Sequence, residues 1–367
     1  MKEGGLPDRE RWFRAPGRVN LIGDHTDYNE GFVLPVAIDL SCVVRATPNA
    51  DGVVRLRSES VGGEVALAAD GGTDPLDVDE VWGRYAAGVV GTLSERGRPP
   101  VGMDAVISST IPLGAGLSSS AALEVALALA LCDVAEYELP QLELALACQE
   151  AEQVATGVPC GIMDQLASLA GLHNHALLID CRSLEVEAIR LPPRLAVLIL
   201  HSGMSRALVD SEYGERREAC EAMAALLGVP ALRDATPQQV ADEPRARHVV
   251  SENARVLEAA EALAEGNVAA LGPLLNESHR SLRDDFEVST PELDALAAAL
   301  VAAGAIGARL TGAGFGGCVV GLASRDEADR IVETAAGHYW AETGHQPRAF
   351  VFRAVDGAGR IPPQAPS

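Results

Sequence analysis

Between residues 30 and 110, apolar positions come in short runs. Segments 32–38, 41–46, 53–58 and 103–108 are β-branched or alternate apolar with polar. Gly, Pro or Asp bounds each of them, which predicts strands. The Gly- and Asp-rich stretch 70–77 predicts a surface loop. From residue 118 the runs lengthen. Segments 118–135 and 140–155, rich in Ala, Leu and Glu, predict helices, and 176–180 with 184–190 predicts a further strand pair. Leu191-Pro192-Pro193 interrupts the pattern, and 195–200 restarts it as a buried strand. Helices are then predicted at 206–226, 249–264, 267–275 and 291–303, the last with Thr290 as its cap and Pro291 at its first position. A strand–glycine loop–strand at 306–322, a helix near 325–337 and a strand near 348–354 complete the series.

Strands and helices are mixed without regular βαβ alternation. The expected class is therefore α+β rather than a doubly wound sheet. A chain of 367 residues has room for two cores, and the proline break places a boundary near 190, giving units 1–190 and 191–367. The segment 361–367 carries three prolines and predicts a disordered end. No internal repeat is visible.

Composition narrows the partners. The formal net charge of −23 disfavours nucleic acid and anionic membranes, both of which need a basic surface. A site for a phosphorylated ligand must then find positive potential locally, in backbone N–H groups, a few Arg and Lys, or a metal ion. The seven cysteines are dispersed and form no CxxC pair, so a disulfide framework is not expected and a reducing cytoplasm fits. The first fourteen residues are charged and lack the apolar core of a signal peptide. The longest apolar helical run, 121–132, contains Glu124 and is too short to span a bilayer.

Four segments carry chemistry. After Pro16–Ile22, a turn running into a short apolar strand, come Asp24, His25, Thr26, Asp27 and Tyr28. No core needs that density of polar groups, whereas a pocket for a polyhydroxylated small molecule does, because each buried hydroxyl needs a partner. In the second segment, Gly114-Ala115-Gly116-Leu117-Ser118-Ser119-Ser120 joins a strand to a helix. Free N–H groups and the dipole at such a helix start attract phosphate, although a glycine turn with serine caps explains the same residues. No Gly-Lys-Ser/Thr occurs, so this is not a Walker loop. The third segment, 149–165, ends one helix with Glu152 and opens the next with Asp164. Taken singly, these are a solvated helix face and an N-terminal helix carboxylate. The fourth, Arg309–Val320, holds a formal GxGxxG, but a strand follows where a dinucleotide fingerprint needs a helix, so that reading is rejected. The remaining histidines show no metal spacing.

Together these segments resemble one family. Gly23–Gly31 resembles the galactokinase signature, with a departure at Asp24, where the family usually has Glu. Pro-x-x-x-Gly-Leu-Ser-Ser-Ser-Ala-Ala at 112–122 resembles the ATP loop of the superfamily that includes galactokinase, homoserine kinase, mevalonate kinase and phosphomevalonate kinase. Cys160–Gln165 resembles the segment with the catalytic Asp, 309–320 resembles the third glycine motif, and 211–213 and 281–289 resemble further galactokinase segments. The matches run in the family's order from about residue 14 to about 320. The resemblance implies the two-domain GHMP kinase fold, with an N-terminal ribosomal-protein-S5-like domain, a C-terminal ferredoxin-like α+β domain and the active site between them. It implies transfer of the ATP γ-phosphoryl group to the C1 hydroxyl of α-D-galactose. Asp164 would accept the C1 proton or orient that hydroxyl. Arg18 would lie between Asp164 and the γ-phosphate, keeping Asp164 ionised. Ser120 and Glu152 would hold Mg²⁺, residues 114–120 would wrap the phosphates, and Asp24, His25, Thr26, Asp27, Gly161 and Tyr213 would hold the sugar. Tyr213 carries that role only through the resemblance; by itself it is an ordinary helix tyrosine. A monomer, common in the family, is expected. Two alternatives stay open: a kinase of this fold for N-acetylgalactosamine, arabinose or another galactose analogue, motivated by Asp24, and a non-catalytic sugar sensor, against which the set Arg18, Ser120, Glu152 and Asp164 argues.

Overall fold

A computed structural model of the chain describes residues 10–204 and 209–363, with the side chains of 209–211 left out. The chain opens with β1 (Arg11–Asn20), β2 (Phe32–Val33) and β3 (Pro35–Asn49). It continues through β4 (Val53–Ser58), β5 (Glu64–Ala68), α1 (Val81–Glu95) and β6 (Gly102–Ser109). Three helices follow, α2 (Ser119–Val134), α3 (Gln141–Thr156) and α4 (Met163–Ala170). Then come β7 (His175–Asp180), β8 (Val186–Arg190) and β9 (Leu195–His201). Four helices succeed them: α5 (Val209–Leu227), α6 (Pro244–Ala264), α7 (Val268–Asp284) and α8 (Pro291–Ala303). The order closes with β10 (Gly307–Thr311), β11 (Cys318–Ser324), α9 (Ala328–Thr343), β12 (Arg348–Phe352) and β13 (Gly359–Ile361).

The strands form three sheets. A six-stranded sheet has the order β13-β1-β3-β6-β4-β5, all antiparallel except β4 beside β6. A small sheet orders β2-β7-β8, and a four-stranded antiparallel sheet orders β10-β11-β9-β12. Helix α2 is Ala, Leu and Val on nearly every face because it is enclosed, packed on β1 and β3 and flanked by α1, α3 and α4. A second core lies between β9–β11 and α8 and α9.

Several expectations needed correction. The run 32–38 is divided, with Phe32 and Val33 forming β2 in the small sheet, whereas 35–38 and 41–46 lie in one strand, β3, which continues through Asp39-Leu40-Ser41 and pairs with β1 and, from Cys42, with β6. Helix α1 was not foreseen: Gly83, Gly88 and Gly91 weaken its helical signal, yet a Cβ at Gly88 would collide with the Ala151 backbone of α3, so the glycine permits the packing. Helix α7 runs nine residues past the expected 275, because Pro273 falls in its second turn, where few backbone bonds are lost. The expected start of α5, 206–208, lies outside the described residues. The expected disordered end is ordered at its beginning, since Ile361 pairs with Trp12, whereas 364–367 lie outside the described residues.

One irregularity positions chemistry. The β1–β3 register shifts between Pro16 and Arg18. Gly17 sits in the shift, where a Cβ would press on the Leu117 carbonyl, and Arg18 N–H donates to that same carbonyl at 3.2 Å. The serine loop is thereby docked directly against the strand that carries Arg18.

Candidate active site

A cleft of about 250 Å³ is walled by the end of β1, the loop before α2, the start of α4 and the loop between β10 and β11. Its floor is an ion pair. Arg18 donates from Nε to Asp164 Oδ1 at 2.7 Å and from Nη2 to Asp164 Oδ2 at 2.6 Å. The third guanidinium nitrogen, Nη1, donates to the Gly116 carbonyl at 2.8 Å. This fork geometry fixes the carboxylate plane and ties it to the serine loop. Ser118, held at φ +58°, does not cap α2; its hydroxyl donates to Asp164 instead.

The N-terminus of α2 opens into the cleft, with Gly114, Gly116, Ser118, Ser119 and Ser120 on the wall. The side chains of Ala115 and Leu117 turn into the core, so only their backbones can serve a ligand. Ser120 Oγ donates to Glu152 Oε1 at 2.7 Å. Burial, and then the nearby Asp164, push the Glu152 carboxyl above its usual range. Among the described residues no three His, Cys, Asp or Glu side chains gather as a metal cage. A hydroxyl and a carboxylate side by side at a phosphate-type helix start nevertheless fit Mg²⁺, which takes one or two protein oxygens and completes its shell with phosphates and water.

The sugar-signature residues divide by role. Asp27 faces the cleft beside Gly161, and a Cβ at Gly161 would collide with the Asp27 carboxylate, so only glycine admits it there. Burial first, and Asp164 second, raise the Asp27 pKa from 3.8 to about 6. Tyr213 also lines the cleft, and burial holds its phenol well above 10, leaving it a neutral donor. His25 lies at the wall but is engaged on both ring nitrogens, Nε2 with the Ala313 carbonyl at 3.2 Å and Nδ1 with the Tyr28 hydroxyl at 2.9 Å. Because the carbonyl can only accept, Nε2 carries the hydrogen, and burial lowers the pKa to about 3. Thr26 is buried, with its hydroxyl between the Gly23 and Phe32 carbonyls, so its side chain closes the loop and does not reach the cleft.

Asp24 is the most constrained of the set. Arg309 Nη2 reaches Asp24 Oδ2 at 2.5 Å, while Asn20 Nδ2 and Gly312 N–H donate to Oδ1 at 3.2 and 3.1 Å. Arg309 is fully buried and Asp24 is 3% exposed. Three of the roughly four acceptor positions of the carboxylate are thus taken by protein, leaving one for a ligand on the cleft side. From the far side, α6 braces the same loop. Glu252 accepts from Gly23 N–H at 3.0 Å, His248 meets the Asp24 carbonyl at 3.1 Å, and Asn253 accepts from Phe32 N–H at 2.8 Å.

A second cavity, of about 750 Å³, adjoins the first across Ser119 and Ser120. Trp82 and Tyr85 of α1 and Leu113 line it, and Trp82 Nε1 is a buried donor without a protein partner. Sequence reasoning missed this aromatic wall, because α1 itself was not foreseen. It also missed Arg309 and the α6 brace, whose only signal in the sequence is polar residues at helical spacing.

Comparison with known proteins gives the family. Residues 4–48 match the galactokinase galactose-binding signature, 84–172 the N-terminal domain of GHMP kinases and 259–339 their C-terminal domain. A galactokinase of Roseiflexus sp. (strain RS-1) is 46% identical over 95% of this chain and 92% of its own length. The chain belongs to the galactokinase family. Its fold is the two-domain GHMP kinase fold, α+β as expected. The crystal structure of Lactococcus lactis galactokinase, complexed with galactose, superposes with a TM-score of 0.90 at 34% identity, covering 98% of this chain and 97% of that one. The mevalonate kinase of Methanococcus jannaschii, at 20% identity and a TM-score of 0.70 over 96% of this chain and all of its own, shares the fold.

Proposed function

We propose that this galactokinase-family chain transfers the γ-phosphoryl group of ATP to the C1 hydroxyl of α-D-galactose, giving galactose 1-phosphate and ADP. The observation that carries the reading is the Arg18–Asp164 pair, set between the serine start of α2 and the signature loop. The galactokinases of Roseiflexus and L. lactis, the latter seen with galactose, support the same substrate.

Phosphoryl transfer needs positioning and charge neutralisation more than covalent help from protein. In this reading Asp164 accepts a hydrogen bond from the C1 hydroxyl on a lone pair left by Arg18 and Ser118. The hydroxyl oxygen forms its bond to the γ-phosphorus as the β–γ bridging oxygen leaves with ADP, and the proton passes to Asp164. Arg18 stays fixed between that carboxylate and the Gly116 backbone, where its charge offsets what builds on the transferring group. Asp27 and Tyr213, with the last acceptor position of Asp24, bind and orient the sugar. The N–H groups of 114–120 hold the phosphates, and the cavity beside Trp82 and Tyr85 takes the base. Ser120 and Glu152 would hold Mg²⁺, which when bound would offset the negative charge of the phosphate oxygens. The division of the chain near 190, where β8 ends and β9 begins, puts the signature, serine loop and Asp164 in one unit and the third glycine loop in the other. A cytoplasmic setting is supported by the dispersed cysteines.

An ADP-release assay with ATP, Mg²⁺ and a panel of monosaccharides tests the proposal. Turnover greatest with galactose is expected, and turnover with no sugar would sink it. A second reading, a galactose analogue altered at C6, is favoured only by the tethered Asp24, and a preference for such a sugar in the same panel would select it.

A further inference from the structure

Two buried side chains beside the cation pair take no part in the steps above. Glu124 lies one turn along α2 from Ser120, and Gln165 follows Asp164 on α4; both are fully shielded from solvent. The Gln165 amide donates from Nε2 to Glu152 Oε2 at 2.7 Å and to Glu124 Oε2 at 3.0 Å. The other Glu152 oxygen accepts from Ser120 Oγ. Glu124 Oε1 and Gln165 Oε1 have no partner. A buried polar atom without a partner costs about 1–3 kcal/mol. The surrounding positions of α2 are filled by Ala, Leu and Val, any of which would avoid that cost at 124. Packing therefore does not account for a glutamate there.

We propose that Glu124 and Gln165 are a buried positioning pair that holds the Glu152 carboxylate in the orientation with which it meets a divalent cation beside Ser120. The proposal rests on the reading of Ser120 and Glu152 as the cation-holding pair. One N–H of the Gln165 amide points to each carboxyl, so fixing the amide plane fixes Glu152 Oε2 and leaves Oε1 on the Ser120 side. Glu124 supplies the second anchor that stops the amide from turning. The bond to Glu152 is the shorter of the two, so the amide is held closest on the side of the cation pair. A glutamine at 124 keeps the length of the side chain and an oxygen to accept from the Gln165 amide, so it preserves shape and hydrogen bonding. Outer partners of this kind orient ligands that are themselves conventional.

The test uses Mn²⁺ as the probe, its binding to the full chain read by electron paramagnetic resonance with a saturating non-hydrolysable ATP analogue. Affinity for that analogue in chelator is measured alongside. Gln165→Met is expected to weaken Mn²⁺ binding about 10–100-fold, with cation-free nucleotide affinity unchanged. Glu124→Leu is expected to weaken it about tenfold, while Glu124→Gln stays within about twofold of the parent. If Glu152→Ala loses Mn²⁺ but Gln165→Met and Glu124→Leu bind it like the parent, the positioning pair is overturned and the cation reading stands. If Glu152→Ala itself binds Mn²⁺ like the parent, the cation reading fails and the pair falls with it. Should Glu124→Leu not fold, Gln165→Met and Glu124→Gln decide the matter, since a loss with the first and retention with the second is expected only of positioning.

Discussion

Arg18 and Asp164 act as a unit, and substitution should separate their parts. Asp164→Asn keeps the shape of the side chain but loses the base, so kcat should fall about 10²–10⁴-fold while nucleotide affinity holds. A near-normal kcat would remove Asp164 from that role. Arg18→Ala should lower kcat more than it raises the sugar KM, which steady-state kinetics with both substrates resolves. Asp27 gives a pH prediction. Its folded pKa, about 6, stands above the ordinary 3.8, so the folded state binds its proton more tightly. The stability it contributes is fully present below 3.8 and is lost as pH rises through 6, on the order of 2–3 kcal/mol. Asp27→Asn should therefore raise the melting temperature of the ligand-free protein above pH 7 and flatten its fall between pH 4 and 7; an unchanged pH dependence would contradict the assignment. At this scale the sequence was only partly legible. The resemblance assigns Asp24, His25, Thr26 and Asp27 alike to the sugar, yet Thr26 closes its own loop, His25 is held on both sides, and Asp24 is mostly spent on Arg309, Asn20 and Gly312. Polar density marked the site, but it could not separate side chains that meet a ligand from those that shape the loop. The deciding partners, Arg309 and the α6 residues, lie far along the chain.

Among the elements, those with strong periodicity were legible: β4 has the expected bounds, and α2, α3 and α8 differ from expectation by a residue or less at each end. What failed was α1, whose glycines lower helix propensity and whose stability comes from packing on α3. That omission had a functional cost, because α1 supplies Trp82 and Tyr85 to the cavity next to the serine loop. Base–aromatic stacking contributes about 1–3 kcal/mol, so Trp82→Ala should raise the KM for ATP about tenfold or more and leave the sugar KM unchanged. A shift in the sugar KM alone would place Trp82 outside the nucleotide site.

For the whole molecule, the arrangement depends on contacts between distant parts of the chain. The signature loop is gripped by β10 and α6, and two ion pairs join the β7 end to the segment between α5 and α6, Arg182 with Asp234 at the surface and Asp180 with Arg233 half-buried. An exposed pair such as Arg182–Asp234 is screened by solvent, whereas the buried Arg309–Asp24 pair would leave an uncompensated charge if halved. The end of the chain makes the least expected of these contacts. After β12 the backbone returns to the first sheet, where Gly357 N–H donates to the Gly171 carbonyl and Ala358 N–H to the Ser168 carbonyl, before β13 pairs with β1. Ser168 in turn donates to the Pro16 carbonyl, two residues before Arg18. This segment thus supports both α4, which carries Asp164, and β1, which carries Arg18, without entering the cleft. Ending the chain at Asp356 removes the backbone bonds to Ser168 of α4 and to Gly171 at its end, together with the β13 ladder, a loss on the order of 3 kcal/mol. The melting temperature should drop by several degrees, and kcat should fall although no residue of the cleft is touched. Hydrogen exchange should rise in α4 and β1 and stay level in the β9–β11 sheet. Equal rises in both regions would mean that the segment stabilises the molecule as a whole rather than the two elements that hold the Arg18–Asp164 pair.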